Sequence, residues 1–136
     1  MGKIFKILIL CVFSTNIFYT GSTKVVIYIK SLEATYYRRV IEEDMKVSYD
    51  QKFEISDQVF IRKLNKIIQD SAQFKVSKAM KKLDNRVLIE IYDNDKIRKA
   101  IFLDKWGYFS LSNKIYQPDS NFVNLLEEKI ENLKFK

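Results

Sequence analysis

The chain has 136 residues and a formal net charge of +7, and its composition is 47% hydrophobic and 14% aromatic. This balance is typical of one globular domain and argues against a disordered chain. The sequence contains no histidine and one cysteine, which excludes Ser-His-Asp catalysis, imidazole zinc sites and a disulfide within the chain. We therefore expect a protein that is not an enzyme and that needs no cofactor.

Residues 1–22 have the pattern of a secretory signal peptide. Lys3 and Lys6 form a short basic start, and a run of apolar residues follows them. Thr20 and Ser22 then supply small side chains at the −3 and −1 positions that signal peptidase reads. The pattern predicts cleavage after Ser22 and a protein that works in the periplasm or outside the cell.

Cleavage after Ser22 leaves a single domain of residues 23–136, with no stable membrane span. It also removes Cys11, the only thiol in the chain. Two alternatives stay open. In the first, the segment remains as a membrane anchor, although its apolar run is shorter than the roughly 20 residues of a spanning helix. In the second, Cys11 is processed as a lipoprotein cysteine, although the preceding Leu10 is not the small residue that such sites normally carry.

Three strands and a helix are predicted for the first half of the domain. Residues 24–30 are rich in β-branched and aromatic side chains, and apolar residues alternate with charged ones over 51–55, so both segments predict strands. Residues 34–42 fit a strand or a helix, and we predict a strand because tyrosine and β-branched residues cluster there. A helix is predicted over 56–71, where an initial Ser-Asp pair offers N-cap oxygens. Its apolar stripe consists of Phe60, Leu64, Ile67 and Ile68.

A meander of short strands is predicted next, over 86–93, 96–103 and 108–112. The pair Asn94–Asp95 tolerates positive φ and therefore predicts a tight hairpin turn between the first two of these strands. Gly107 is the natural residue of positive φ in the turn that follows. Three consecutive strands with short turns predict an antiparallel arrangement.

The end of the chain predicts one more short strand and a closing helix. Asn113–Lys114 forms a turn into a short strand at 115–116, and Asp119–Ser120 caps the last helix. The apolar stripe of this helix consists of Phe122, Leu125, Leu126, Ile130 and Leu133. The predicted order is β-β-β-α-β-β-β-α, which indicates an α+β fold with two amphipathic helices packed on one face of an antiparallel sheet.

The most interface-like residues are aromatic and arginine side chains, because these combine contact area with polar reach at protein–protein hot spots. One group is the run of residues 36–39, and the other is at the second hairpin of the meander. The candidate partner-binding residues are Tyr36, Tyr37, Arg38, Arg39, Trp106 and Tyr108. The alternative is that these aromatic rings pack in or against the core. The favoured function is a non-catalytic binding module for a protein in the envelope or exterior, such as an inhibitor or immunity-type protein.

A pair of carboxylates would support a different function, glycoside hydrolysis, because this reaction needs two carboxyl groups and no histidine. The candidate residues are Glu42, Glu43, Asp44 and Glu90. We expect Glu90 to face solvent, because it alternates with apolar neighbours on its strand. The alternative hypothesis is therefore a hydrolase that acts on envelope glycans.

The positive charge suggests a third function, a structural protein associated with the envelope. The cluster Lys75, Lys78, Lys81 and Lys82 fits weak contact with anionic lipid or polymer. A solvated connection between elements explains these lysines better, because only four charges are spread over eight residues, and we favour it. Nucleic acid is not an expected partner of an exported domain.

The segment Asn85–Tyr116, followed by an amphipathic helix, resembles small exported proteins of unknown function from AT-rich Gram-negative bacteria. The resemblance rests on a strand–turn–strand pattern that ends in an Asp-x-Trp-Gly turn. It implies an envelope or secreted location and carries no activity over to any residue.

Overall fold

The computed structural model describes residues 22–134, so the predicted signal peptide lies, apart from Ser22, outside the described residues. The fold is α+β with an antiparallel sheet, as predicted, and the sheet has six strands. The strands are β1 (Thr23–Ile29), β2 (Gln51–Ile55), β3 (Val87–Asp93), β4 (Lys96–Leu103), β5 (Phe109–Leu111) and β6 (Lys114–Tyr116), and the helices are α1 (Glu42–Val47), α2 (Gln58–Gln69) and α3 (Ser120–Lys134).

The sheet has the strand order β2-β1-β3-β4-β5-β6. The strands β3, β4 and β5 form the predicted meander, and β6, predicted as a separate short strand, extends it. Asn94 and Asp95 have φ values of 50° and 63°, which confirms the hairpin turn between β3 and β4. The turn between β5 and β6 uses Ser112 and Asn113 in the same conformation, one residue earlier than the predicted pair Asn113–Lys114.

Gly107 occupies the turn between β4 and β5 with a φ of 88°, as predicted. Two physical requirements meet at this position. L side chains rarely adopt this backbone conformation. In addition, a Cβ atom here would lie 3.3 Å from Pro118 Cβ and 3.3 Å from Val123 Cγ2. The chain that leads into α3 therefore packs directly against the bare glycine.

One face of the sheet, here called the helix face, is covered by α2 and α3. Asp57 caps α2, because its carboxylate accepts hydrogen bonds from the Val59 and Phe60 N–H groups. Asp119 likewise accepts a hydrogen bond from the Phe122 N–H at the start of α3. The apolar stripes of both helices pack onto the sheet as predicted, and their buried residues are Phe60, Ile61, Leu64, Ile68, Phe122 and Leu126.

The opposite face, here called the loop face, is covered in part by α1 and by the connection 30–41, here called loop 30–41. The strand predicted over 34–42 is wrong: the segment has no regular structure before α1 begins at Glu42. A second apolar cluster lies beneath it, formed by Val26, Tyr28, Val40, Met45 and Leu88. The residue types of this segment predict a strand wrongly, because tertiary hydrogen bonds to its backbone, described below, replace those to a neighbouring strand.

Candidate functional site

Arg86 holds loop 30–41 from beneath. Its guanidinium group is buried and donates hydrogen bonds to the carbonyl oxygens of Ser31 and Ala34, both at 2.9 Å. The same group donates to the Asp84 carboxylate at 2.7 Å and 3.2 Å. One side chain from the start of β3 therefore fixes the backbone of a loop that lies more than fifty residues earlier.

Asp84 extends this network to the far end of the loop. Its other carboxylate oxygen accepts a hydrogen bond of 2.7 Å from the Val40 N–H. Burial raises the pKa of Asp84, but the hydrogen bonds from Val40 and Arg86 outweigh it and hold the pKa below its usual value. The ionised carboxylate is thus the form that the folded loop requires.

Tyr36 is the only one of the two adjacent tyrosines that packs inward. Its ring lies 4.5 Å from the Arg86 guanidinium carbon and 5.1 Å from Lys30 Nζ, measured to the ring centroid. Lys30 is itself buried and donates a hydrogen bond of 2.7 Å to Ser48 Oγ. Tyr36 therefore joins two cations to the underside of the loop and supports its position.

Tyr37 and Arg38 point the other way. The Tyr37 side chain is fully exposed to solvent. Arg38 is also largely exposed, and its guanidinium group pairs with the Asp44 carboxylate at 3.0 Å. Asp44 in turn accepts a hydrogen bond from the Ile41 N–H at the start of α1. The tip of the loop is thus open to solvent while both of its flanks are anchored.

Arg39 lines an open cleft of about 500 Å³ beside the loop. Lys81 and Lys82 line the same cleft, so two of the four predicted lysines lie near an arginine of the predicted interface. Asn85 lies at the cleft as well, and its buried Oδ1 accepts no hydrogen bond from any residue within 22–134. Glu42 and Glu43 also line the cleft, which therefore carries charges of both signs.

Trp106 is an exposed aromatic residue of the β4–β5 turn, with 69% of its surface accessible to solvent. The buried Asp104 carboxylate holds this turn, because it accepts hydrogen bonds from the N–H groups of Trp106 and Tyr108 at 2.9 Å and 3.0 Å. Burial raises the pKa of Asp104, although these backbone hydrogen bonds oppose that shift. Tyr108 is half-buried and continues into β5.

The turn and loop 30–41 lie at the same end of the sheet. Leu32 of the loop and Lys105 and Gly107 of the turn line one small groove. The backbone N–H of Arg86 also donates to the carbonyl oxygen of Leu103, which ends β4. The two groups of predicted partner-binding residues, separated by more than sixty positions in the sequence, therefore belong to one end of the molecule.

Glu90 does not face solvent, contrary to the prediction, because α1 covers it. It is 3% exposed, and its carboxylate pairs with Lys46 Nζ at 2.9 Å and accepts a hydrogen bond of 2.7 Å from the Tyr92 hydroxyl. The hydrogen bond to Glu90 raises the pKa of Tyr92 and also that of Lys46. Both carboxylate oxygens are engaged, which gives Glu90 a structural role in attaching α1 to the sheet.

The other candidate carboxylates are distributed differently. Glu42 and Glu43 share the cleft beside Arg39, whereas Asp44 is paired with Arg38. Of the four candidate carboxylates, Glu42 and Glu43 are thus the two that share a cleft. Within residues 22–134, no cluster of three or more acidic or metal-ligating side chains is arranged to hold a metal ion.

Sequence reasoning missed the residues that support the site: Lys30, Asp84, Arg86 and Asp104. Each is charged and stands next to a strand, where charged residues are usually solvated. A signal was present for two of them, since Asp84 and Arg86 carry opposite charges two positions apart, where a predicted strand begins. These side chains bind main-chain groups of a remote loop, and the sequence does not show which main-chain groups are bound.

No protein-family model, curated protein or solved structure shows a significant match to this chain. Within residues 22–134, no helix combines the length and the apolar character needed to cross a bilayer.

Proposed function

We propose that this protein is an exported, non-catalytic binding module, and that the tip of loop 30–41 contacts a protein partner in the periplasm or outside the cell. One observation carries the proposal: the buried Arg86 and the partly exposed Asp84 tie the loop backbone down on both flanks, while the side chains of residues 37–39 are exposed to solvent. A loop held in one conformation loses little entropy when it binds. Tyrosine and arginine are also the side chains most enriched at binding hot spots.

The partner is expected to present an acidic surface. Arg39, Lys81 and Lys82 outnumber Glu42 and Glu43 around the cleft beside loop 30–41. Removal of the proposed signal peptide with Lys3 and Lys6 takes the net charge from +7 to 7 − 2 = +5. Charge of one sign accelerates association with a partner of the opposite sign. Trp106 provides a second exposed aromatic anchor at the same end of the sheet. An inhibitor or immunity-type protein that blocks a secreted enzyme is the most specific form of this proposal.

Capture from envelope extract and culture medium tests the proposal. The bait proteins are the wild-type chain, the Tyr37→Ala variant and the Arg39→Ala variant. The matched control is Val59→Ala, because Val59 is an exposed apolar residue on α2, across the sheet. We expect one protein to be recovered in stoichiometric amount by the wild type and the control, and to be lost with the loop variants.

The purified partner then permits a quantitative measurement. Tyr37→Ala or Arg39→Ala should weaken binding by at least about 2 kcal/mol, or roughly thirtyfold. A partner that binds all four proteins equally would contradict the proposed role of the loop. Recovery of anionic material alone, removed by moderate salt, would favour a structural envelope protein instead.

The proposed export has a separate test. The full chain is produced in a Gram-negative host, and the accumulated protein is analysed by N-terminal sequencing and cell fractionation. We expect Thr23 as the first residue and recovery from the periplasm or medium. An intact Met1 in the cytoplasmic fraction would contradict export while leaving the loop proposal open.

A further inference from the structure

β2 is an edge strand of the sheet, and within residues 22–134 no other strand lies beyond it. The hydrogen bonds of β1 show which backbone N–H and C=O groups of β2 point towards the sheet and which point away from it. The Lys30 N–H donates to Arg86 on the β3 side, whereas the Ile29 carbonyl accepts from Asp50 on the β2 side. Because this direction alternates along a strand, the odd-numbered residues of β1 bond to β2. Their partners in β2 are Gln51, Phe53 and Ile55.

The backbone N–H and C=O groups of Lys52 and Glu54 therefore point away from the sheet, towards solvent. Their side chains share the loop face, where both are exposed and their charged ends lie 3.6 Å apart. Charged edge strands ordinarily discourage pairing with another strand. A Lys and a Glu two positions apart have a different consequence, because they are complementary to an antiparallel copy of themselves.

We propose that β2 pairs antiparallel with β2 of a second copy of this chain, centred on Phe53, to form a symmetric dimer with a continuous twelve-stranded sheet. In this register Lys52 lies opposite Glu54 of the copy, and the reverse pair follows by symmetry. Both residues have outward backbone groups, so the two pairs exchange four hydrogen bonds. Shifting the register by two residues places Lys52 opposite Lys52 or Glu54 opposite Glu54, which like-charge repulsion disfavours.

Phe53 supports the same register. It lies on the helix face and is only partly buried within one chain. In the dimer it meets Phe53 of the copy at a position where side chains approach closely, because the flanking pairs carry the hydrogen bonds. The ring surface left open in one chain is thus covered by the same ring of the other, as a two-fold interface requires.

The dimer is expected to be weak. Two five-residue strands bury less surface than the roughly 1,200 Å² of a stable standard interface. A dissociation constant between about 10 μM and 1 mM is the corresponding expectation. Sedimentation equilibrium of the full chain over this concentration range measures it directly.

Charge reversal provides the specific test. Lys52→Glu and Glu54→Lys each place like charges opposite each other twice, and each should weaken self-association by at least about tenfold. The double variant Lys52→Glu/Glu54→Lys restores complementarity and should dimerise like the wild type. An equimolar mixture of the two single variants should also associate, because one edge then carries two carboxylates and the other two ammonium groups.

Lys96→Glu is the matched control for Lys52→Glu, since it lowers the net charge by the same amount at an exposed position of the β3–β4 hairpin. It should leave the dissociation constant unchanged, and circular dichroism should show that all variants fold. A wild-type protein that stays monomeric up to about 1 mM would overturn the proposal. So would a dimer that is insensitive to both single charge reversals, because another surface would then form it.

Discussion

The two faces of the sheet are stabilised by different chemistry. The helix face packs aliphatic and aromatic side chains from α2, α3 and the strands. The loop face buries charged groups as well, and Lys30, Arg86 and Glu90 are each less than a tenth exposed. Apolar burial is non-directional and scales with area, whereas buried charges require partners at defined positions.

The two faces therefore contribute differently: the helix face to the stability of the domain, and the loop face to the position of the candidate site. The helix face supplies the hydrophobic core that any domain of this size needs. The loop face uses directional hydrogen bonds, which Arg86 donates and Asp84 accepts, to hold an irregular loop in one conformation. We expect substitutions on the helix face to unfold the whole domain, and substitutions on the loop face to release the loop first.

The largest effect is expected from Phe109→Ala. Phe109 is fully buried on the helix face, and its ring centroid lies 4.9–5.2 Å from those of Phe74, Tyr116 and Phe122. The loss should lower the free energy of unfolding by about 3–5 kcal/mol, measured by urea denaturation. Phe102→Ala, at a partly buried position of the loop face, should cost less than half as much. Equal costs would contradict the distinction between the two faces.

Arg86→Ala should have the next largest effect. It removes the donor to two loop carbonyls and to one oxygen of the Asp84 carboxylate, and should lower the free energy of unfolding by about 2–3 kcal/mol, measured by urea denaturation. Arg86→Lys should restore little of this, because an ammonium group cannot reproduce the fork of hydrogen bonds. Trypsin should also cleave after Arg38 or Arg39 before the domain unfolds. Arg62→Ala, on the exposed side of α2, is the control. It should leave both the free energy of unfolding and the rate of tryptic cleavage in the loop unchanged.

A smaller effect is expected from Asp84→Asn, and it depends on pH. The folded-state pKa of Asp84 lies below the ordinary value of 3.8, so its contribution is present above about pH 3.8 and is lost as the pH falls through the lower folded value. Because the carboxylate is partly exposed, we expect a difference from wild type of at most about 1 kcal/mol at pH 7. The difference should shrink in acid. Thermal melts from pH 7 to 2.5 measure it, and a difference that grows in acid would contradict this assignment.

The smallest effect on stability is expected from Tyr37→Ala. The side chain is fully exposed, so the free energy of unfolding should change by less than about 0.5 kcal/mol. Tyr116→Ala, at a buried position of the helix face, provides the contrast and should destabilise the domain strongly. A large loss of stability with Tyr37→Ala would mean that Tyr37 supports the loop rather than serving as a contact residue.

The helix face could be predicted because its signals are local. The apolar stripe from Phe60 to Ile68 repeats with the helical period, and Asp57 stands directly before it. Asn94–Asp95 and Gly107 similarly specify their turns through their own backbone preferences. In each case the residues that determine the structure are those that adopt it.

The loop face could be predicted only in part because its determinants are remote in sequence. Loop 30–41 has the composition of a strand, yet Arg86 and Asp84 satisfy its main-chain groups across 44 to 55 positions. Glu90 alternates with apolar residues like a solvated strand residue, but α1 brings Lys46 over it. The candidate residues Tyr37, Arg38 and Arg39 were recognised from their type, whereas the groups that position them were not.

Hydrogen exchange at the Val40 amide tests the central claim that the loop is held in one conformation. This amide donates to Asp84 at one end of a segment that has no regular structure. We predict that it exchanges at least about a hundredfold more slowly than an unstructured peptide. In Arg86→Ala this protection should fall while the Ile89 amide of β3 stays protected. Exchange of Val40 at the rate of an unstructured peptide in the wild-type protein would contradict the account.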